Sequence, residues 1–227
     1  MARRPDHGAA TMIRRRYPPS GAVYELRRSP EGSFQDLRPR HRPVATMALT
    51  SLIVLVYLGQ LSQPSLTARF ATEWKAVLDG GEWWRVVTGS LLHGGPLHIA
   101  ANAYFGWSIG ARVERHVGAL RLLAISAAAG LGTGGLVVLA HQNALGFSGV
   151  LFGWLASWLG FHLTTRFPGL RLSGAQSRAY FSLLCANLLI SLIPGISLVG
   201  HLGGFVAGLL VSLALGARSH PLHPLEG

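Results

Sequence analysis

Charge is what this chain lacks over most of its length. Asp, Glu, Lys and Arg make up 13% of its 227 residues, about half of what a soluble domain carries. They are absent from residues 43–68, 86–111, 122–165 and 179–217. One helical crossing of a bilayer needs about 20 apolar residues, so these runs point to an integral membrane protein. Acidic residues are scarcer still: the last aspartate is Asp79, and no Asp or Glu lies between Glu114 and Glu226. That excludes a paired-aspartate site inside the bilayer and leaves no acid for a Ser-His-Asp triad. A His-Glu-x-x-His helix is also missing, which excludes the corresponding zinc site. The single cysteine, Cys185, allows neither a disulfide nor a cysteine zinc cluster, and its place in an apolar run predicts a small core residue. The expectation is therefore no cofactor and no metal.

The first two charge-free runs hold one span each. The last two are long enough for two each, broken at His141-Gln142-Asn143 and at Pro194-Gly195. The fold class that follows is an all-α membrane protein of six spans, near 44–61, 96–112, 122–140, 148–165, 179–193 and 198–216. Residues 64–85 form a long first outer loop whose Trp74, Trp83 and Trp84 suit the headgroup interface. Gly94-Gly95-Pro96 predicts a second span that starts at the proline, which loses nothing in a first helical turn.

The net charge of +11 is unevenly placed, with ten of the 20 basic residues in the first 42 positions. Six spans put 17 basic residues on one side and three (Arg69, Lys75, Arg85) on the other. The excess marks the cytoplasmic side, so both termini are expected there. Anionic lipid headgroups explain the basic arm better than nucleic acid does, and no nucleic-acid partner is expected. Residues 1–42 contain no apolar h-region and do not read as a signal peptide. Arg, Pro, Gly and Ser dominate them, and the reading is a mostly disordered cytoplasmic arm at 1–43. The span-bearing domain then covers 44–217, with a short cytoplasmic tail at 218–227.

Two polar residues stand out inside these runs. Ser148 lies in Gly146-Phe147-Ser148-Gly149, and His201 in Gly200-His201-Leu202-Gly203-Gly204. Polar and ionisable groups at membrane depth are costly and mark function by default. A serine becomes a nucleophile when a neutral histidine takes its proton. At a helix start after a glycine turn, its own N–H is free to stabilise an oxyanion. Glycines at four-residue spacing (Gly149 and Gly153; Gly200, Gly204 and Gly208) let two helices approach closely, which brings Ser148 within reach of His201. With no acid available, the chemistry is that of a Ser-His dyad. His98 and Asn102, four apart on one helix face, both offer hydrogen-bond donors, with interhelical hydrogen bonding as their rival role. His93 falls in the end of the outer loop.

On these residues the chain resembles the rhomboid intramembrane serine proteases over about 44–217. The resemblance rests on Gly-x-Ser-Gly at Gly146–Gly149, His-x4-His-x3-Asn at His93, His98 and Asn102, and His201 followed by Gly204 and Gly208. Glu82-x-Trp84-Arg85 in the outer loop adds to it. It implies a six-helix rhomboid bundle in a membrane, expected to be a bacterial plasma membrane, and cleavage of transmembrane protein substrates by Ser148 and His201. It further implies that His98, Asn102 and the Ser148 N–H form the oxyanion hole of a water-filled cavity open to the non-cytoplasmic side. The fifth span and the loop before the sixth would gate it. Phe152 stands where many members carry a tyrosine that stacks on the histidine, and Gly200 where alanine is frequent. The alternative is a catalytically inactive rhomboid-like protein that binds membrane clients; such relatives typically lose the serine or the histidine, and both are present here. Glu82 and Arg85 are expected to pair and shape the loop, His141 and His162 to sit at the interface, and Trp154 and Trp158 to pack or face lipid.

Overall fold

The computed structural model describes residues 12–17, 22–28, 34–39, 42–164, 174–193 and 195–217. Strands β1 (Met12–Tyr17), β2 (Ala22–Arg28) and β3 (Phe34–Pro39) form an antiparallel sheet in that order. The register sets Glu25 opposite Arg14 on one side and Arg38 on the other. The rest of the described chain is mostly helical, as the fold class expects. The tail at 218–227 lies outside the described residues, as do Thr165 and Pro194, two of the expected span and break positions.

Helix α1 (Val44–Ser62) has no side-chain cap from its own first residues. Glu114 supplies one from afar. It accepts the N–H groups of Ala45 at 2.9 Å and Thr46 at 2.7 Å, and the Thr46 hydroxyl at 2.7 Å. A carboxylate there satisfies N–H groups that have no intrahelical partner and meets the positive end of the helix dipole. Glu114 does stand at a helix end, but it is buried and ties two helices together.

The segment between α1 and α5, read as the outer loop, holds α2 (Ser65–Phe70), β4 (Thr72–Glu73), α3 (Trp74–Leu78) and α4 (Arg85–Thr88). Arg85 pairs with Glu82 as expected, and its guanidinium also donates to the carbonyls of Ala68 and Ala71 at 2.7 and 3.1 Å. One buried arginine thus closes the loop on itself. Helix α5 (Pro96–Phe105) starts on the proline, continues through a π-turn at Gly106–Gly110, and runs into α6 (Ala111–Val117). The π-turn lies against Trp154, whose ring occupies the space a Gly110 side chain would need. Such a bulge opens the helix for a bulky neighbour.

Helix α7 (Ala119–Leu139), β5 (Asn143–Ala144, paired with β4), α8 (Ser148–Thr164), α9 (Gly174–Ile190) and α10 (Leu198–Ala217) complete the described chain. Trp154 is fully buried and donates to the Ser126 hydroxyl at 2.9 Å, so packing is the role it takes. Gly204 and Gly208 of α10 lie against the backbone of Gly149 and Gly153 of α8, where any side chain would collide with a carbonyl. The expected glycine-mediated contact of these two helices is thus present.

Among the described residues, helix occupies most of the segments read as spans, with 191–193 turning away after α9. Three helices among the described residues, Val44–Ser62, Ala119–Leu139 and Leu198–Gly216, are long and apolar enough to cross a membrane, with mean hydropathies of 1.9, 2.0 and 2.0. Their outer faces are apolar: Leu55, Leu58 and Leu61 on α1 and Val206 and Leu210 on α10 are exposed. Cys185 is also exposed, which corrects its reading as a core residue. In a lipid-facing helix, an apolar neighbourhood does not distinguish inside from outside.

Candidate active site

The position of Ser148 is set by a turn only glycine accommodates easily. Gly146 has φ +124°, in a region that L side chains rarely adopt. Its N–H donates to the Gly89 carbonyl at 3.0 Å, and Phe147 anchors the turn in the core. Ser148 follows as the first residue of α8, where the N–H has no intrahelical acceptor. The position of His201 is set by Ser197, whose hydroxyl accepts the Gly200 N–H at 3.0 Å and caps the start of α10. His201 lies in the first turn after that cap.

The close contact of α8 and α10 brings the two together. His201 Nε2 lies 2.7 Å from Ser148 Oγ. Phe152 stacks on the imidazole with ring centroids 4.4 Å apart and 17° between planes, so the phenyl ring orients the base without a hydroxyl. On the far side of the imidazole, Nδ1 lies 2.6 Å from the hydroxyl of Ser191.

His98 and Asn102 stand across from this pair on α5. The Gly94 N–H donates to His98 Nδ1 at 3.3 Å. That leaves Nε2 to carry the proton of the neutral ring, and Nε2 sits against the Gly146 backbone beside Ser148. Asn102 is buried and its Nδ2 has no hydrogen-bond partner among the described residues. All four residues line one cavity of about 730 Å³. A half-buried hydroxyl, a base on it and two donors facing the same space are the parts acyl transfer requires.

Supporting residues escaped the sequence reading. Gln60 of α1 clamps the backbone of His93, accepting its N–H at 2.9 Å and donating to its carbonyl at 3.1 Å, which holds the loop before α5. His93 is buried, its ring edge-on to His98 at 5.0 Å. Ser197 had a readable signal, a serine just before an apolar helix. Gln60 and Ser191 had none, because their partners lie far away in the chain or across a turn. Of the histidines expected at the interface, His141 takes a positive φ of 54° and stacks on Trp74 of α3.

The family model of the Rhomboid domain matches residues 80–218. Among curated relatives, "Rhomboid protease GluP" of Bacillus subtilis (strain 168) is 32% identical over 197 residues, covering 85% of this chain and 38% of that protein. "Putative rhomboid protease YdcA" of the same organism is 30% identical over 183 residues, covering 75% of this chain and 87% of the relative. "RHOMBOID-like protein 6, mitochondrial" of Arabidopsis thaliana is 29% identical over 161 residues, covering 70% and 52%. The chain thus spans between about a third and a half of the length of the longer relatives and most of the shorter one. With the family domain laid over more than half of its residues and carrying Ser148, His201, His98 and Asn102, this chain belongs to the rhomboid family.

Proposed function

We propose that the chain is an intramembrane serine endopeptidase that cleaves transmembrane segments of other membrane proteins through a Ser148–His201 dyad. The observation that carries this reading is the 2.7 Å contact between Ser148 Oγ and His201 Nε2 at the wall of the cavity. His201 takes the Ser148 proton as Oγ attacks the scissile carbonyl. The developing oxyanion is held by the Ser148 N–H, the Asn102 amide and His98 Nε2–H, and His201 then passes the proton to the leaving amine. Water, activated by the same imidazole, releases the acyl group from the serine.

The proposed catalytic unit is 44–217, with six spans in a bacterial plasma membrane and both termini in the cytoplasm. The second span is the joined α5, π-turn and α6, and α8 and α9 cross as shorter helices. Membrane lipids surround the bundle, and the arm at 1–43 meets their anionic headgroups.

The test is labelling of detergent-solubilised protein with a serine-reactive fluorophosphonate, alongside cleavage of a transmembrane reporter. Ser148→Ala and His201→Ala are each expected to abolish both signals without unfolding the protein. The double variant should be no worse than either single one, because the pair acts as a unit. Comparable cleavage by Ser148→Ala removes the assignment. A folded wild type that neither labels nor cleaves points instead to an inactive, client-binding protein.

A further inference from the structure

We infer that Ser191 completes the relay as a positioning residue, holding His201 in the tautomer that accepts the Ser148 proton. The inference rests on the dyad reading above and extends it to a third helix. Ser191 follows the last residue of α9 and is buried beside a buried His201. Its hydroxyl has two neighbours, the Asn187 carbonyl at 2.7 Å and His201 Nδ1 at 2.6 Å.

A hydroxyl has one proton to give, and a carbonyl can only accept. The Asn187 contact is a hydrogen bond only if Ser191 donates into it. Ser191 Oγ then has only lone pairs to offer His201, so Nδ1 carries the ring proton and donates it. A neutral imidazole with its proton on Nδ1 has a bare Nε2, which faces Ser148 Oγ at 2.7 Å. The chain of donors therefore runs one way: Ser148 to His201, His201 to Ser191, Ser191 to the backbone of Asn187. The opposite tautomer would leave the Asn187 contact without a proton and turn the Ser148 hydrogen away from the base.

During attack the Ser148 proton moves to Nε2 while the Nδ1 proton stays in place. The Nδ1–H to Ser191 bond then becomes charge-assisted and shortens. In serine proteases with an acid, the third group fixes the tautomer and also stabilises the imidazolium. A neutral hydroxyl does the first fully and the second weakly. This accounts for a competent dyad in a chain with no acid between Glu114 and Glu226. Tyr180 fixes the other part of the same helix, donating to the Leu155 carbonyl at 2.7 Å. The relay thus depends on where the far end of α9 sits.

The experiment is nitrogen NMR of the full chain in detergent micelles with 15N-labelled histidine, the His201 signals being assigned by their loss in His201→Gln. Wild-type His201 is expected to show a protonated Nδ1 and a bare Nε2, whether or not the protein is active. Ser191→Ala should mix the tautomers and lower kcat by about 10- to 100-fold, the scale of one hydrogen bond to a charged group. KM and melting temperature should hold. Ser191→Thr, which keeps the hydroxyl, should restore both the tautomer and most of kcat. A wild-type proton on Nε2 overturns the inference with no variant needed, and so does a Ser191→Ala protein with unchanged tautomer and kcat. If the Nδ1 tautomer is present while wild type neither labels nor cleaves, the positioning role stands and the protease reading falls.

Discussion

Asn102 sets the sharpest question at the scale of single residues. Its buried Nδ2 has no hydrogen-bond partner among the described residues, and an amide left in that state costs about 1–3 kcal/mol. A donor that joined helices would already have its acceptor. One that awaits a developing charge would not, and the cavity wall is where it stands. Asn102→Ala is therefore expected to lower kcat by about 10²-fold, the scale of losing one oxyanion donor, with the melting temperature and fluorophosphonate labelling little changed. Wild-type kcat with a lowered melting point would make it a packing residue. Ser148 and His201 were legible from sequence because each interrupts a charge-free run. Ser191 was not. Ser62, Ser108 and Ser126 make the same bond to the carbonyl four residues back, and nothing in the spacing says which such serine also faces a histidine. Gln60 was hidden for a similar reason, since its partner His93 lies across a helix and a loop.

At the scale of elements, the distance between Ser148 and His201 is set by how closely α8 and α10 lie. A methyl on Gly204 would collide with the Gly149 carbonyl, one residue from Ser148. Neither backbone can yield without parting the helices, and overpacking of this kind costs about 1–3 kcal/mol or more. Gly204→Ala is expected to lower the melting temperature and to reduce cleavage far more than the loss of folded protein accounts for. Gly135→Ala on α7 is the control, because that position has open space around it and alanine favours helix by up to about 1 kcal/mol. Equal behaviour of the two variants would remove the close contact as the device that sets the dyad. The glycine spacing made this contact readable, whereas helix ends were less so. Helix α7 begins at Ala119 after Gly118 with φ +85°, three residues before the expected start, because Arg121 bounds the charge-free run yet lies in the first turn of the helix. The three strands of the arm are not legible in a segment that Arg, Pro, Gly and Ser dominate.

At the scale of the whole molecule, apolar side chains cover the outside as well as the inside. Leu139 at the end of α7 and Leu163 near the end of α8 are exposed alongside the leucines of α1 and α10, a surface that lipid accepts and water does not. What orients such a bundle is the placement of its basic residues. Arg112, Arg115 and Arg121 gather where α6 meets α7, Arg178 sits in the first turns of α9, and ten more precede α1. The segment between α1 and α5 carries three basic residues against Glu73, Asp79 and Glu82. Moving the first group across a membrane would cost far more than moving the second, which is the basis of the positive-inside rule. A reporter fused after Gly227, or inserted between Phe167 and Ser177, is therefore expected to read as cytoplasmic, and one inserted between Thr67 and Asp79 as external. The cavity would then open on the external side, since its wall includes Thr72 and Ala144, the paired residues of β4 and β5. An external signal from the C-terminal fusion would break the even number of crossings and place Ser148 and His201 at opposite depths from those the bundle requires.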